Sequence, residues 1–414
     1  MRDIEPDEYS RHAKVRGAFE DVARLYNFQV MEPAALEHLS ILRAKSGEDV
    51  DKEIYAFKDK GGRDVGLRFD RTVGITRYVC SRRDLRLPAK IASFGGMWRY
   101  DEPQYGRYRW SHQWDLEIFG PPSVDSDAEV IDASSAILRR VGLQRALIKV
   151  GDRRVVEGFI RNKLGITDSA KMVELMRALD KVEKKTRREL EEEYTAKGFS
   201  RGELGELLAL GELSGEPDKV LRKTSEMKLD FTEDLTRLRD ILRSRGVANV
   251  EYSLRIVRGI DYYTGIVFEA VDGANLKLGS LCGGGRYDAL PRALGRADLS
   301  ATGAAGGVER EAMSMAEEQT VPGRSAVVAC ASPDAYGYAS AVLAHIRGEG
   351  IPGDLSLPGR SLGKQLEDAA KAGVAWALIV GMKELAGKSV TLRDMKAGKE
   401  EVLPLSEAIR RLQK

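Results

Sequence analysis

The sequence predicts an α+β protein: an antiparallel sheet flanked by helices, interrupted by a helical insert and followed by a small α/β domain. Three observations predict it. Residues 65–79 and 90–119 mix aromatic and apolar types with frequent glycine, the pattern of antiparallel strands joined by turns. Residues 166–245 are rich in Leu, Glu, Lys and Arg and almost free of aromatics, as in LMRALDKVEKKTRRELEEEY, so they read as helices with solvated charged faces. Beyond TVPGR (320–324), a linker, segments of strand and helix length alternate as βαβαβ. That alternation marks a separate domain with a largely parallel sheet.

In chain order, 10–26 is an amphipathic helix with Val15, Phe19, Val22, Leu25 and Tyr26 on one face. A short apolar segment ends at Pro33. Within 90–119 a hairpin turn falls at 104–106. Residues 127–141 form a helix capped by Asp125 or Ser126, and 147–150 a short strand. Strand character returns over 249–269. RIVRGIDYYTGIVFEA (255–270) reads as half-buried strand, with Ile256, Ile260, Tyr262, Ile266 and Phe268 on one parity and a turn at Gly259 or Gly265. LCGGGRYDAL continues it. The last domain has strands at 326–331, 351–355 and 376–380 and helices at 334–347 and 362–372. The division is therefore 1–165 with 247–319, the insert 166–246, and 325–414.

With 414 residues, 43% hydrophobic and 31% charged, the chain has ample core for two or three domains. Its net charge of +2 means that any polyanion binds through local basic patches. Cys80, Cys282 and Cys330 are odd in number and far apart, which argues against a disulfide framework or zinc site and for a reducing cytosol. His12, His38, His112 and His345 are scattered, so no histidine cage is legible and no protein ligand to a metal is assigned. The acidic start MRDIEPDEYS lacks an apolar core and does not read as a secretory signal. No apolar run approaches the ~20 residues of a membrane span.

The chemistry is an arginine set without a P-loop. PGRSLGKQ (358–365) has the wrong spacing and ends in Gln365, and no GxGxxG, GxSxG or HExxH stands in a usable context. FGGMWRYDEPQYGRYRWSHQWDLEIFG (94–120) carries Arg99, Arg107 and Arg109. Arg258 lies in the 255–270 stretch, and ATGAAGGVER (301–310) ends in Arg310. Arginine stays charged when partly buried and binds phosphate through two N–H groups, so several brought together suit a sheet-built triphosphate site. Asp70, Asp101, Glu117 and Asp261 accompany them and can accept from an N–H ligand or help hold Mg²⁺ against phosphates. Any one of these arginines alone reads as a rim ion pair.

These segments resemble histidyl-tRNA synthetases, class II aminoacyl-tRNA synthetases, over essentially the whole chain. YNFQVMEP, with Pro33, is similar to motif 1, MWRYDEPQYGRYR to motif 2 and TGAAGGVER to motif 3. RGIDYYTGIVFE (258–269) and LCGGGRYDAL (281–290) resemble the histidine-specific signatures. LSLPGRSLGKQLEDA, LIVGMKE and VTLRDM resemble the family's anticodon-binding module.

The resemblance implies a class II antiparallel sheet and a cytoplasmic, homodimeric ligase with motif 1 at the interface. It implies ATP-dependent activation of L-histidine, with Mg²⁺ on the phosphates, and transfer to the 3′ end of histidine tRNA. Arg258 would be the catalytic arginine, between the histidine carboxylate and the α-phosphate. Glu117 and Tyr263 would pair with the imidazole, with Tyr262 in the same pocket, and Asp70, Thr72 and Gln113 would hold the α-amino group. Arg99 would take the α-phosphate, Arg310 the γ-phosphate, and Asp101 would face the adenine amino group. Lys184, Lys185, Arg187 and Arg188 would touch tRNA or form a solvated helix face. The rival from another class is a catalytically inactive histidine-sensing paralogue, the regulatory subunit of ATP phosphoribosyltransferase. Such paralogues generally lack the anticodon-binding domain and lose parts of the arginine set.

The chain departs from the family pattern at four places. It opens at Met1-Arg2-Asp3, short of an Arg-Gly pair most members keep. Asn27 replaces the usual glycine, a position Asn fills in the left-handed region. Asp101 is one methylene shorter than the usual glutamate. Ser111 occupies the place of an aromatic platform for adenine, with Trp110 one step earlier and so on the opposite strand face. Either a bulge lets Trp110 stack, or adenine packs mainly on Arg310.

Overall fold

The computed structural model describes residues 2–44, 51–100, 102, 105–182, 185–257, 263–315, 326–356 and 359–413. It divides into two units, Met1–Thr320 and Val321–Lys414.

In the first unit, α1 (Pro6–Leu25) starts with Pro6 at its first position and Asp7 and Glu8 in its first turn, where acidic side chains suit the helix dipole. It buries Val15, Phe19 and Val22. Asn27 has φ 61°, the left-handed conformation that turns the chain into strand β1 (Gln29–Val30). A small antiparallel sheet follows, β2 (Leu36–His38), β3 (Ala56–Lys58) and β4 (Asp64–Leu67), with α2 (Leu39–Arg43) after β2.

Residues 71–79 are not strand. They lie in α3 (Arg71–Ser81), which Asp70 caps by accepting from Thr72 N at 2.7 Å. The cap satisfies a backbone donor that a strand would give to a neighbour. Strands β5 (Ala89–Trp98) and β6 (Trp110–Gly120) then pair antiparallel without a register shift, from Ala89↔Phe119 to Trp98↔Trp110. α4 (Val124–Arg140) starts two residues earlier than expected for an Asp125 cap, because the Ser123 side chain accepts from Asp125 N.

After β7 (Ala146–Asp152) and α5 (Arg153–Asn162) comes the segment 166–246, expected as an insert. Its helices are α6 (Ser169–Lys181), α7 (Arg187–Ala196), α8 (Arg201–Gly211), α9 (Pro217–Glu226) and α10 (Thr232–Ser244), with β8 (Ser214–Gly215) between α8 and α9. Capping boxes at Thr186–Glu189 and Ser200–Glu203 fix two of the starts. Leu175, Leu207, Leu235 and Leu238 of the insert belong to the same buried cluster as Trp114 and Leu116 of β6.

Among the described residues of 249–269, strand is confined to β9 (Val250–Ser253) and the start of β10 (Ile266–Asp272). Residues 254–257 and 263–265 are turn and irregular backbone, which corrects the strand reading at 255–257 and 263–265; residues 258–262, with Gly259, Ile260 and Tyr262, lie outside the described residues. The unit closes with β11 (Ser280–Arg286), α11 (Ala289–Ala293), β12 (Ser300–Gly307) and α12 (Val308–Ser314). The large sheet runs β1-β5-β6-β12-β11-β10-β7-β9-β8. Its pairs are antiparallel except β1/β5 and β7/β9.

The second unit contains β13 (Ala326–Cys330), α13 (Tyr336–Gly348), β14 (Gly353–Leu355), α14 (Leu362–Lys371) and β15 (Trp376–Val380), with these three strands parallel. α15 (Met382–Gly387), an antiparallel hairpin of β16 (Ser389–Asp394) and β17 (Glu400–Pro404), and α16 (Leu405–Leu412) follow. The sheet is therefore mixed, with two antiparallel strands on one side. Gln365 is a buried clamp: its Nε2 donates to Cys330 O and Arg360 O, both at 2.8 Å, and its Oε1 accepts from Cys330 N at 2.9 Å. TVPGR lies outside the described residues. Among the described residues, no helix is long and apolar enough to cross a membrane.

Candidate active site

The site follows from the pleat of β6. Successive side chains of a strand point to opposite faces. Trp114, Leu116 and Ile118 enter the main core, and Gln113, Asp115 and Glu117 take the other parity. Buried polar side chains need partners, and each of these has them.

Glu117 is 1% exposed. It sits opposite Gly303 of β12, where an added Cβ would lie 1.5 Å from Glu117 Oε2. The carboxylate therefore lies across the neighbouring strand, and only glycine leaves it room. Tyr287 OH donates to Oε2, and the Thr72 side chain hydrogen-bonds the same carboxylate. Burial pushes the Glu117 pKa up to about 8, and the nearby Asp115 charge adds to the rise; the Thr72 and Tyr287 bonds oppose it. Asp70, Thr72, Glu117, Tyr263, Tyr287 and Gly303 line a small pocket of about 40 Å³.

Ala305 lines this pocket and also a larger cavity of about 270 Å³. Arg99, Arg107 and Arg310 line the cavity together with Gln113, Ser111 and Glu309. Arg310 is aimed by two carbonyls: its Nε donates to Gly106 O at 3.1 Å and its Nη1 to Ser280 O at 3.0 Å. Gly106 turns at φ +69°, and a Cβ there would stand 3.1 Å from Arg310 Cγ. Arg99 donates from Nε to Phe69 O at 2.9 Å and from Nη2 to Gln113 Oε1 at 3.4 Å.

A buried chain supports these groups. Gln113 Nε2 donates to Asp115 Oδ1 at 2.6 Å, and Asp115 Oδ2 lies 3.3 Å from Arg71 Nε. Arg71, fully buried, donates to Glu32 Oε2 at 2.9 Å and to Ser93. The motif 1-like segment is thus tied through two buried charges to the arginine cavity.

Of the residues expected from sequence, Asp70, Thr72, Glu117 and Tyr263 meet in the pocket, and Arg99, Gln113 and Arg310 meet in the cavity. Arg107 joins them. Arg109 does not line the cavity; its guanidinium lies 4.7 Å from the Tyr100 ring centroid. Asp101, Arg258, Asp261 and Tyr262 lie outside the described residues, as does Lys184. The unbroken β5/β6 register leaves no bulge at Trp110, which is 38% exposed and is not a lining residue, whereas Ser111 and Arg310 are. Lys185 pairs with Glu193 at 2.6 Å, Arg187 with Glu191 at 3.2 Å and Arg188 with Glu192 at 2.9 Å, the arrangement of a solvated helix face.

Sequence reasoning missed Tyr287, Asp115, Arg71 and Glu309. Tyr287 stands inside LCGGGRYDAL, and Asp115 completes the period-two series Gln113, Asp115, Glu117 on an otherwise apolar strand, so both carried a signal. Arg71 and Glu309 carried none in their local sequence.

Comparison with known proteins accords with this geometry. The family model described as histidyl-tRNA synthetase matches residues 1–310, and the anticodon binding domain matches 325–414. A histidine–tRNA ligase from Thermococcus kodakarensis is 35% identical over 429 aligned positions, covering 99% of this chain and 96% of that protein. The crystal structure of histidyl-tRNA synthetase from Nostoc superposes with a TM-score of 0.86 at 24% identity, covering 99% and 97% of the two chains. A structure titled ATP phosphoribosyltransferase regulatory subunit/histidyl-tRNA synthetase, from Bacillus halodurans, gives 0.75 at 22% identity, covering 92% and 97%. At these identities the two structures establish the shared fold alone; the sequence matches carry the assignment. The chain belongs to the histidyl-tRNA synthetase family.

Proposed function

We propose that this chain activates L-histidine with ATP and passes the histidyl group to the 3′ end of its tRNA. The observation that carries the reading is the join at Ala305, where a pocket built on a buried carboxylate opens beside an arginine-lined cavity. In this reading Glu117 and Tyr263 pair with the imidazole nitrogens, with Tyr262 beside them. Asp70, Thr72 and Gln113 hold the α-amino group. A pocket that hydrogen-bonds both ring nitrogens rejects apolar analogues, which would leave its buried groups unpaired.

Arg99 takes the α-phosphate and Arg310 the γ-phosphate, Asp101 faces the adenine amino group, and adenine packs on Arg310. Arg258 lies between the carboxylate and the α-phosphate. A histidine carboxylate oxygen attacks the α-phosphorus, the bond to the bridging oxygen breaks, and pyrophosphate leaves with the electron pair. A tRNA ribose hydroxyl then attacks the acyl carbon, releasing AMP and a proton. The first step needs positioning and charge neutralisation more than proton transfer, which accords with a lining rich in arginine. Mg²⁺, when bound, neutralises phosphate charge. A cavity with three arginines against one described carboxylate, Glu309, suits an ion carried mainly by phosphate oxygens.

Residues 325–414 would bind the anticodon, and 166–246 form an insert on the catalytic part. The chain is read as a homodimer through the motif 1 edge, where β1 ends the sheet and Leu25 and Val30 are 55% and 59% exposed. The unpaired thiols of Cys80, Cys282 and Cys330 suit a reducing cytoplasm.

The test is ATP–pyrophosphate exchange with each of the twenty amino acids, followed by charging of a histidine tRNA transcript. Exchange with histidine alone, greatly slowed in Arg258→Ala, is expected. Histidine binding without exchange would favour the regulatory paralogue. Against that second reading stand Arg99 and Arg310 lining one cavity and the matched C-terminal unit.

A further inference from the structure

We propose that His12, His112 and Glu309 form a binding site for a divalent transition-metal ion of the zinc class. The three residues are far apart in sequence. The fold brings them together from α1, β6 and the start of α12. Each offers one ligand atom, a ring nitrogen or a carboxylate oxygen, and these atoms all lie within 4.8 Å of one another.

Burial makes the cluster more than a chance meeting. His12 is 5% exposed and Glu309 3%. His12 Nε2 and His112 Nδ1 are shut off from water, yet neither has a hydrogen-bond partner among the described residues. The imidazole rings stand 5.5 Å apart, edge to face. Carboxylate oxygens of Glu8 and Glu309 lie 3.4 Å from His12 Nε2 and 3.5 Å from His112 Nδ1, without hydrogen-bond geometry. A buried polar atom left unpaired loses its hydration without replacement, so two side by side are a defect unless something fills the gap.

A metal ion fills it with the right chemistry. Two imidazoles and one carboxylate are a zinc-type donor set, and the hard ions Mg²⁺ and Ca²⁺ prefer all-oxygen sites. In a tetrahedral site with bonds of about 2.0–2.1 Å the ligand atoms stand roughly 3.3 Å apart, so each side chain moves inward by less than about 1 Å. Glu309 is already oriented, its Oε1 accepting from His112 N at 2.8 Å. Glu8, held by Arg2 through bonds of 2.5 and 2.7 Å, stands ready to supply a fourth ligand, its carboxylate oxygen. His112 and Glu309 both line the arginine cavity, and Glu309 precedes Arg310. A bound ion would therefore pin α1 to the wall that carries Arg310.

The test is titration of chelator-stripped full-length protein with Co²⁺, read by visible d–d absorption. The expected result is saturation at one Co²⁺ per chain, bleaching by Zn²⁺, no displacement by equal Mg²⁺, and no near-ultraviolet thiolate band. His12→Gln should weaken Co²⁺ by more than the roughly 10- to 100-fold that loss of an outer-shell partner costs, with metal-free pyrophosphate exchange unchanged. Glu309→Gln in the same titration is the second variant, guarding against a fold defect in the first. Absence of d–d bands, a thiolate band, displacement by Mg²⁺, or wild-type affinity in both variants would overturn the site.

Discussion

Tyr287 donates a hydrogen bond to Glu117 across β12, through a space that exists only because residue 303 has no side chain. The three positions come from separate segments, and together they fix where the buried carboxylate points.

Gly303→Ala tests that space. Its Cβ would sit 1.5 Å from Glu117 Oε2, so the carboxylate or the strand must shift. Overpacking of this kind costs about 1–3 kcal/mol. The expected outcome is that loss by denaturant unfolding, together with collapse of histidine-dependent exchange.

Glu117 sets a pH dependence. Its pKa is raised in the fold to about 8 from an ordinary 4.5, so the folded state binds more protons than the unfolded chain between these values. Stability should therefore fall as pH rises from about 5 to about 8 and level off above. Glu117→Gln removes the titrating group, and its melting temperature should be flatter across that window. Leaving a buried imidazole nitrogen without its partner costs about 1–3 kcal/mol and should also weaken histidine roughly 5- to 150-fold. An unchanged pH profile of Tm in Glu117→Gln would remove Glu117 as its source.

Arg310 is aimed by two backbone carbonyls into the arginine-lined cavity, where the fork of its guanidinium suits a phosphate. Arg310→Lys keeps the charge and loses the fork. A rise in KM for ATP of roughly tenfold, with KM for histidine little changed, is expected from steady-state exchange.

Ser111 and Trp110 should matter little for ATP. Ser111 lines the cavity with a small side chain, and Trp110 lies outside it. Ser111→Ala and Trp110→Ala should each change KM for ATP by less than about threefold, under 0.7 kcal/mol or so. A large loss in either would make adenine packing on Arg310 untenable.

Asp115 neutralises the buried Arg71 at 3.3 Å. Asp115→Ala leaves that arginine, among the described residues, with Glu32 as its one carboxylate partner, whose side chain is 60% exposed. Breaking a buried pair typically costs about 3–5 kcal/mol, and the denaturant midpoint should fall accordingly. Replacing both with apolar residues should cost less than the single change.

Legibility followed locality. The apolar face of α1, the period-two run of β6 and the charged insert were readable because neighbours in sequence share one face of an element. So were Glu117, Arg99 and Arg310, through the segments that carry them. The helix at 71–81 was misread because its apolar content suits either period, and the Asp70 cap became decisive only when Thr72 N turned to it. Residues 255–257 and 263–265 were misread because alternation of apolar residues persists there although the backbone is turn and irregular.

The sequence by itself determined the family and a linker at 320–324, where the chain passes from one unit to the next, and it named candidates for the site. Tertiary structure alone decided that Gly303 makes room for Glu117, that Arg71 and Asp115 neutralise each other, and that His12 meets His112 and Glu309. These are relations between strands and helices distant in the chain. Packing and the exclusion of water, which no local pattern encodes, set their distances.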